Sequence, residues 1–256
     1  MKNTKFTLWQ VLSFIIVAIM ALVLALSPGG HKQSGSRQKA EPSTERTSAV
    51  SSGPAAPQGF SYSDDVPAYS GRRSVPVHGN RPYFLESDFT ERSYESYHSL
   101  DRLGRCGPAM ACLGKDLMPD GPRPRLSSIR PTGWHYDRYS FIEGELLYNR
   151  SHLIAYSLAG EGANERNLIT GTREMNAEAM EPYEHETVSY IRRTGNHVLY
   201  RVTPVFLGNE LLARGVLMEA ESVEDHGRGI RFCVFCYNAE PRVQIDYATG
   251  NNRLIK

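Results

Sequence analysis

The sequence lacks the excess of basic residues that marks a tight nucleic-acid binder. The whole chain carries 29 lysines and arginines against 28 aspartates and glutamates. From residue 76 onward there are 21 basic and 24 acidic residues, a net charge of −3. This balance argues against pure binding through a broad positive surface. An enzyme that must release its product can work with a local basic cluster. Arg123, Arg125 and Arg130 are candidates for one, although a solvated loop face fits the same residues equally well.

Cysteine is also scarce, with four in the chain. Cys106 and Cys112 flank a Gly-Pro turn and could pair locally, which a compartment outside the cytoplasm would permit. Cys233 and Cys236 lie three residues apart on an expected strand, so their side chains point to opposite faces. That geometry disfavours a four-cysteine zinc site. Buried thiols and disulfides remain the two open interpretations.

Charge is absent from residues 6–30, and residues 8–26 approach the ~20 apolar residues that span a bilayer. Lys2 and Lys5 precede this run and orient the N-terminus toward the cytoplasm. We therefore expect residues 1–28 to be a signal anchor or a signal peptide, with the remainder outside the cytoplasm.

The small-residue stretch ending at Ser27 is followed by Pro28, which disfavours cleavage there. We accordingly expect a single-pass protein of the cell membrane, with a cleaved and secreted form as the alternative. Residues 29–75 are rich in Ser, Gly, Pro and Gln and predict a flexible extracytoplasmic linker. Residues 76–256 are long enough for one substantial folded domain.

Alternating apolar and polar positions predict antiparallel strands with one face buried at residues 197–206, 215–223, 230–237 and 242–247. A helix is expected within residues 100–117, broken at Gly107-Pro108. Another is expected to begin near Pro182 and to end at Gly195. The expected fold class is therefore α+β, a central antiparallel sheet with packed helices.

The most informative pattern is the tetrad Asn149-Arg150-Ser151-His152, which follows a short apolar run. It resembles the Asp-Arg-Gly-His signature of the DNA/RNA non-specific endonucleases, a family that includes streptococcal DNases and has a ββα-metal finger active site. Asn149 and Ser151 depart from the common aspartate and glycine. Asn167, Asn176 and Glu184 follow at the family's spacing, and the likeness covers roughly residues 77–250.

The resemblance implies a role for each matching residue. His152 is the general base, Asn176 holds a single Mg²⁺, with Mn²⁺ as the alternative ion, and Glu184 orients a metal-bound water. Asn167 is implied as a further catalytic residue, and Arg150 and Arg105 are implied as substrate-binding residues. These residue types suit phosphodiester hydrolysis, because a histidine of pKa about 6.5 can take a proton from water near neutral pH. A metal can stabilise the added negative charge, and Mg²⁺ needs few protein ligands.

We therefore expect a Mg²⁺-dependent, non-specific endonuclease that hydrolyses DNA and leaves 5′-phosphates, with activity on RNA left open. Its partners would be nucleic acid and, through the N-terminal segment, a membrane. One alternative is a non-catalytic extracytoplasmic nucleic-acid-binding or DNA-uptake module, and another is a structural or adhesive surface domain.

Pro182 lies between Asn176 and Glu184, which would be about 80° apart on one unbroken α-helix.

Overall fold

The computed structural model describes residues 53–255, so the expected anchor at 1–28 and the first part of the expected linker lie outside the described residues. In chain order the helices and strands are α1 Tyr62–Asp65, β1 Ser74–Pro76, β2 Tyr94–Tyr97, β3 Ala109–Leu113, β4 Tyr148–His152, α2 Tyr156–Ala159, β5 Leu168–Thr172, a π-helical segment Glu174–Met180, α3 Glu181–Thr194, β6 Val198–Val205, β7 Gly215–Ser222, β8 Arg231–Tyr237, β9 Val243–Ile245 and β10 Asn252–Leu254. Between residues 53 and 255, no helix combines the length and the apolar character needed to cross a membrane.

Six strands form the central antiparallel sheet, in the order β1-β8-β7-β6-β3-β2. The expected meander is confirmed for β6, β7 and β8, which follow one another in the chain and in the sheet. The strand expected at residues 242–247 is shorter and lies elsewhere, because β9 pairs with β10 in a separate hairpin. The α+β class is confirmed.

The sheet is buried on both faces, whereas the alternation predicted one buried face. On β8, Phe232 and Val234 belong to the apolar cluster that also holds residues of α3, such as Ile191. Phe235 and Tyr237 point to the opposite face. The polar residues of the pattern wrongly indicate a solvent-exposed face, because two of them neutralise each other's charge inside the protein. Arg201 and Glu219 form a buried ion pair, with Arg201 Nε 2.7 Å from a Glu219 carboxylate oxygen.

The prediction of a helix within residues 100–117 is wrong, because Ala109–Leu113 is a strand. It pairs with β6 on one side and β2 on the other. Ala109 and Ala111 face one apolar cluster, while Met110 and Cys112 face another, as the two-residue period of a strand requires. Alanine, methionine and leucine favour helices, so tertiary pairing overrides local propensity in this segment.

Strands β4 and β5 form a two-stranded antiparallel ribbon, in which His152 lies opposite Leu168. The chain then enters the π-helical segment, and α3 continues from it without a break in helical backbone. Strand, strand and helix together make the ββα unit expected from the sequence. The helix ends as expected at Gly195, whose φ of 76° is the left-handed conformation that glycine adopts without strain.

All four cysteines are buried free thiols, so the interpretation as buried thiols holds. The Cys106 thiol lies near the carbonyl oxygens of Glu165 and Leu168, and the Cys112 thiol lies near that of Thr90. Burial raises the pKa of both thiols to about 12.

The folded part of the chain begins before the boundary at residue 76 that composition predicted. Val66 and Val75 are buried against Phe235 of the sheet, and Phe60 and Tyr62 pack on the same cluster. The Tyr62 and Phe235 rings lie 5.4 Å apart. Composition misled because a few apolar residues in a polar stretch suffice to cover one end of the sheet.

We expect a chain lacking residues 1–52 to unfold cooperatively, and a chain lacking residues 1–74 to be much less stable. Removing Phe60, Tyr62 and Val66 uncovers the outer sheet face, and each buried apolar side chain contributes about 1.5–3 kcal/mol. Thermal and urea unfolding of the two chains checks this. Equal stability of the two would show that residues 53–74 contribute nothing to the core.

Candidate active site

A cleft of about 390 Å³ lies between the end of β4, the start of α2 and the helix that follows β5. Its walls carry both polar and charged side chains. The lining residues are Arg123, His152, Ala155, Tyr156, Ser157, Arg173, Asn176, Glu181, Glu184 and His185. The structure therefore brings together three of the residues that the sequence singled out, His152, Asn176 and Glu184.

His152 is the last residue of β4 and is only 4% exposed. Its Nε2 lies 2.9 Å from the carbonyl oxygen of Gly162, and its Nδ1 lies 2.8 Å from Nη2 of Arg123. A carbonyl can only accept a hydrogen bond and a guanidinium can only donate one. The ring is therefore neutral, with its proton on Nε2 and its lone pair on Nδ1.

Burial lowers the pKa of His152 to about 4, since the protonated ring would lose its hydration. The hydrogen bond to Gly162 opposes this shift, and the positive charge of Arg123 adds to it. An imidazole in this setting stays unprotonated across the neutral range, with its lone pair held by the hydrogen bond from Arg123.

Residue 162 must be a glycine because its backbone lies very close to the Pro124 ring. A Cβ added at residue 162 would lie 2.1 Å from Cγ of Pro124, so no other residue fits without displacing the chain. The carbonyl that holds His152 and the loop that carries Arg123 are thereby fixed against each other.

The opposite wall of the cleft comes from the helix. Asn176 lies in the π-helical segment and Glu184 in the first turns of α3. Pro182 does not break this helix, because it lies at the first positions of α3, where its missing N–H is tolerated. The separation of about 80° derived for a regular α-helix does not apply, since part of the interval is π-helical.

Glu184 lies half-buried in the cleft. Burial raises its pKa to about 8, the neighbouring Glu181 carboxylate adds to the rise, and Arg123 opposes it. In contrast, the Asn176 side chain has no hydrogen-bond partner within residues 53–255. Its amide is free to bind something that enters the cleft.

Asn167 lies outside the cleft, although the resemblance implied a catalytic role. It is fully buried, and its amide donates to and accepts from the backbone of Ile154, at 3.0 and 2.8 Å. This pair of bonds fixes the chain just after His152. Asn167 therefore positions the histidine strand and does not face a substrate in the cleft.

The two arginines implied as substrate ligands are also occupied elsewhere. Arg150 donates to the carbonyl oxygen of Ile129 and stacks 4.2 Å above the Trp134 ring. Arg105 pairs with Asp101 at 2.8 Å and donates to the carbonyl oxygens of Gly208 and Glu210. Both tie loops together, and neither lines the cleft.

Several residues of the cleft were missed or undervalued by sequence reasoning. Glu181 and His185 are four residues apart on one helix face and flank the predicted Glu184, and this spacing could have revealed them. Glu181 and His185 lie 3.5 Å apart on the rim. Arg173, which pairs with Glu143 at 2.6 Å, has no local pattern that would mark it.

The donor atoms of the cleft suit a hard divalent cation. Within the described residues, no group of three or more His, Cys, Asp or Glu side chains could hold a metal by itself. The Asn176 amide and the Glu184 and Glu181 carboxylates supply oxygen atoms, which are the ligands Mg²⁺ prefers. A cation held this way keeps several waters, so the residues present fit Mg²⁺.

A ββα unit with a histidine on its strand and an asparagine on its helix defines the ββα-metal class of nuclease fold. The chain belongs to the DNA/RNA non-specific endonuclease family, whose model matches residues 86–224. It is also similar to a deoxyribonuclease of Streptococcus dysgalactiae subsp. equisimilis, with 34% identity over 109 residues. That match covers 41% of this chain and 32% of the relative, so it spans about a third of the relative's length.

Two solved nuclease structures have a similar fold. The magnesium-bound crystal structure of NucA from Streptococcus agalactiae superposes with a TM-score of 0.62 and 25% identity, over 70% of this chain and 85% of NucA. The structure of the Sda1 nuclease with bound zinc superposes with a TM-score of 0.57 and 26% identity, over 70% of this chain and 94% of Sda1.

The depressed pKa of His152 has a measurable consequence for stability. The unfolded chain holds this proton below about pH 6.5, whereas the folded chain takes it up only near pH 4, so stability falls as pH drops through this interval. The loss approaches about 3 kcal/mol. NMR titration of the ring in native and urea-unfolded protein checks the two midpoints. His152→Gln should flatten the dependence, and a native midpoint near 6.5 would contradict the prediction.

Proposed function

We propose that this chain is a metal-dependent endonuclease that hydrolyses the phosphodiester bonds of DNA, with RNA as a second substrate to be tested. The observation that carries the proposal is the convergence of His152, Asn176 and Glu184 on one polar cleft within the ββα unit. Family membership supports a nucleic-acid substrate.

His152 is the proposed general base. Its neutral ring carries the proton on Nε2 and directs the Nδ1 lone pair away from Gly162. The Gly162 carbonyl holds the ring orientation and stabilises the imidazolium that forms when Nδ1 takes a proton from water. Asn167 acts through the backbone of Ile154, so we assign it a positioning role.

Asn176 is the proposed protein ligand of Mg²⁺ or, alternatively, Mn²⁺, and Glu184 is proposed to accept hydrogen bonds from the waters of the ion. When bound, the ion would neutralise the developing charge on phosphate and on the leaving oxygen. The magnesium in NucA and the zinc in Sda1 support metal use by this fold. Arg150 and Arg105 are proposed to shape the surrounding loops instead of binding phosphate.

Cleavage is proposed to be nearly indifferent to base sequence and to leave 5′-phosphates. The cleft offers carboxylates, an amide and guanidinium groups, which engage phosphate or metal and carry no base information. Sequencing of cut ends from a long duplex tests this, and a sharp consensus of several bases would refute it.

Plasmid nicking with and without EDTA tests the catalytic pair. His152→Ala should fold normally yet lose about 10²–10⁴-fold in turnover, as expected for a missing general base. Added imidazole should restore part of the activity of His152→Gly, because it supplies a base in the vacated space. Asn176→Ala should require more Mg²⁺ and should gain nothing from imidazole.

Asn209→Ala is a matched control, since this asparagine is exposed, accepts one hydrogen bond from Arg102 and lies outside the cleft. Near-normal activity of a well-folded His152→Ala protein would remove the proposed function. A binding module without catalysis would instead retain DNA in all variants and nick none of it.

We further propose that the domain works outside the cytoplasm and that residues 1–28 direct it there as a signal anchor, with the part of the expected linker before residue 53 as the connection to the domain. The uncharged run at residues 6–30 supports this. Fractionation of cells expressing the full chain should recover the domain in the membrane fraction, accessible to added protease. A shorter form found only in the medium would replace the anchor with a cleaved signal peptide.

A further inference from the structure

Arg123 caps the atom on which the proposed chemistry depends. Its Nη2 donates to His152 Nδ1 at 2.8 Å, while the other ring nitrogen is committed to Gly162. A neutral imidazole has one lone pair, and a water molecule must reach that lone pair before its proton can be taken. With Arg123 in this position, His152 cannot accept a proton from water.

Arg123 makes few direct contacts where it lies, although it is near enough to Glu184 to lower the pKa of that carboxyl group. Within the described part of the chain no carboxylate oxygen lies within 4.0 Å of its guanidinium, whose one hydrogen bond is the bond to His152. An arginine binds a phosphate through two parallel charge-assisted bonds, which are stronger than one bond to a neutral ring nitrogen. A phosphodiester entering the cleft therefore competes well for this side chain.

The backbone around Arg123 is anchored on both sides, whereas its side chain is exposed. Pro122 and Pro124 flank it and restrict the local dihedral angles. The Tyr156 hydroxyl donates to the carbonyl oxygens of Gly121 and Pro122, at 3.1 and 3.2 Å. On the other side, Pro124 packs against Gly162. Arg123 itself is exposed at the rim, so its side chain is not packed into the core.

We propose that Arg123 masks the general base in the free protein and that a substrate phosphodiester unmasks it by drawing the guanidinium away. Binding of phosphate and exposure of the base are thereby one event. The release step rests on the proposed function, whereas the masking contact does not.

The test is NMR of the full-length protein with ¹⁵N-labelled histidine, in EDTA so that no cleavage occurs. His152→Gln assigns the His152 ring signals. The Nδ1 signal of Arg123→Met should differ from that of the wild type, because methionine fills similar space without donating. Adding the dinucleotide TpT, which has one phosphodiester, should move the wild-type signal toward the Arg123→Met position and leave that variant unchanged.

A second measurement follows carbethoxylation of His152 by diethylpyrocarbonate, in which a free imidazole lone pair attacks a carbonyl carbon of the reagent and expels ethyl carbonate. Arg123→Met should react about 10- to 100-fold faster than the wild type, since a hydrogen bond from a charged donor is lost. The exposed His185 of the same protein is the internal reference, and Arg125→Met is the matched control expected to match the wild type. Arg123→Leu repeats both measurements in a second background.

Identical Nδ1 signals and reaction rates in wild type and Arg123→Met would overturn the masking contact. A wild-type signal that stays fixed with TpT would overturn release by phosphate. These results are separable from the proposed function. Masking without nicking activity would remove the nuclease assignment alone, and nicking by a protein whose base is unmasked throughout would remove this inference alone.

Discussion

The hydrogen bond from His152 Nε2 to the Gly162 carbonyl is the interaction on which the site depends. It fixes the tautomer of a ring that is almost fully buried, and it selects the nitrogen that faces the cleft. Gly162 can reach the ring only because it has no side chain to meet Pro124. The carbonyl of residue 162, the turn at Asn167 and the backbone of Ile154 therefore act as one frame around the histidine.

A second constraint comes from the helix that follows β5. Its π-helical first part carries Asn176 and its α-helical part carries Glu184, and Pro182 lies at the junction between them. Irregular helical backbone of this kind is frequent at functional sites. The carboxylates here are held in a partly buried space where their mutual repulsion is costly, and this favours the binding of a cation.

Local pattern predicted β6, β7, β8 and the stop at Gly195, because alternation and glycine chemistry act over a few residues. It failed for Ala109–Leu113, where helix-favouring residues are held as a strand by β6 and β2. In the site, the spacing of His152, Asn176 and Glu184 was informative because strand and helix are adjacent in the chain. The contacts of Arg150 and Arg105 could not be predicted, because their carbonyl partners lie 21 or more positions away, where no pattern reaches.

The four buried thiols affect how the domain can be made and where it can persist. A thiol with a pKa of about 12 is ionised in about one molecule in a hundred thousand at neutral pH, and the thiolate is the form that attacks disulfides and oxidants. In the folded domain these thiols should therefore react slowly with disulfides and oxidants. The described fold contains no disulfide, so reducing agents should leave its covalent structure unchanged.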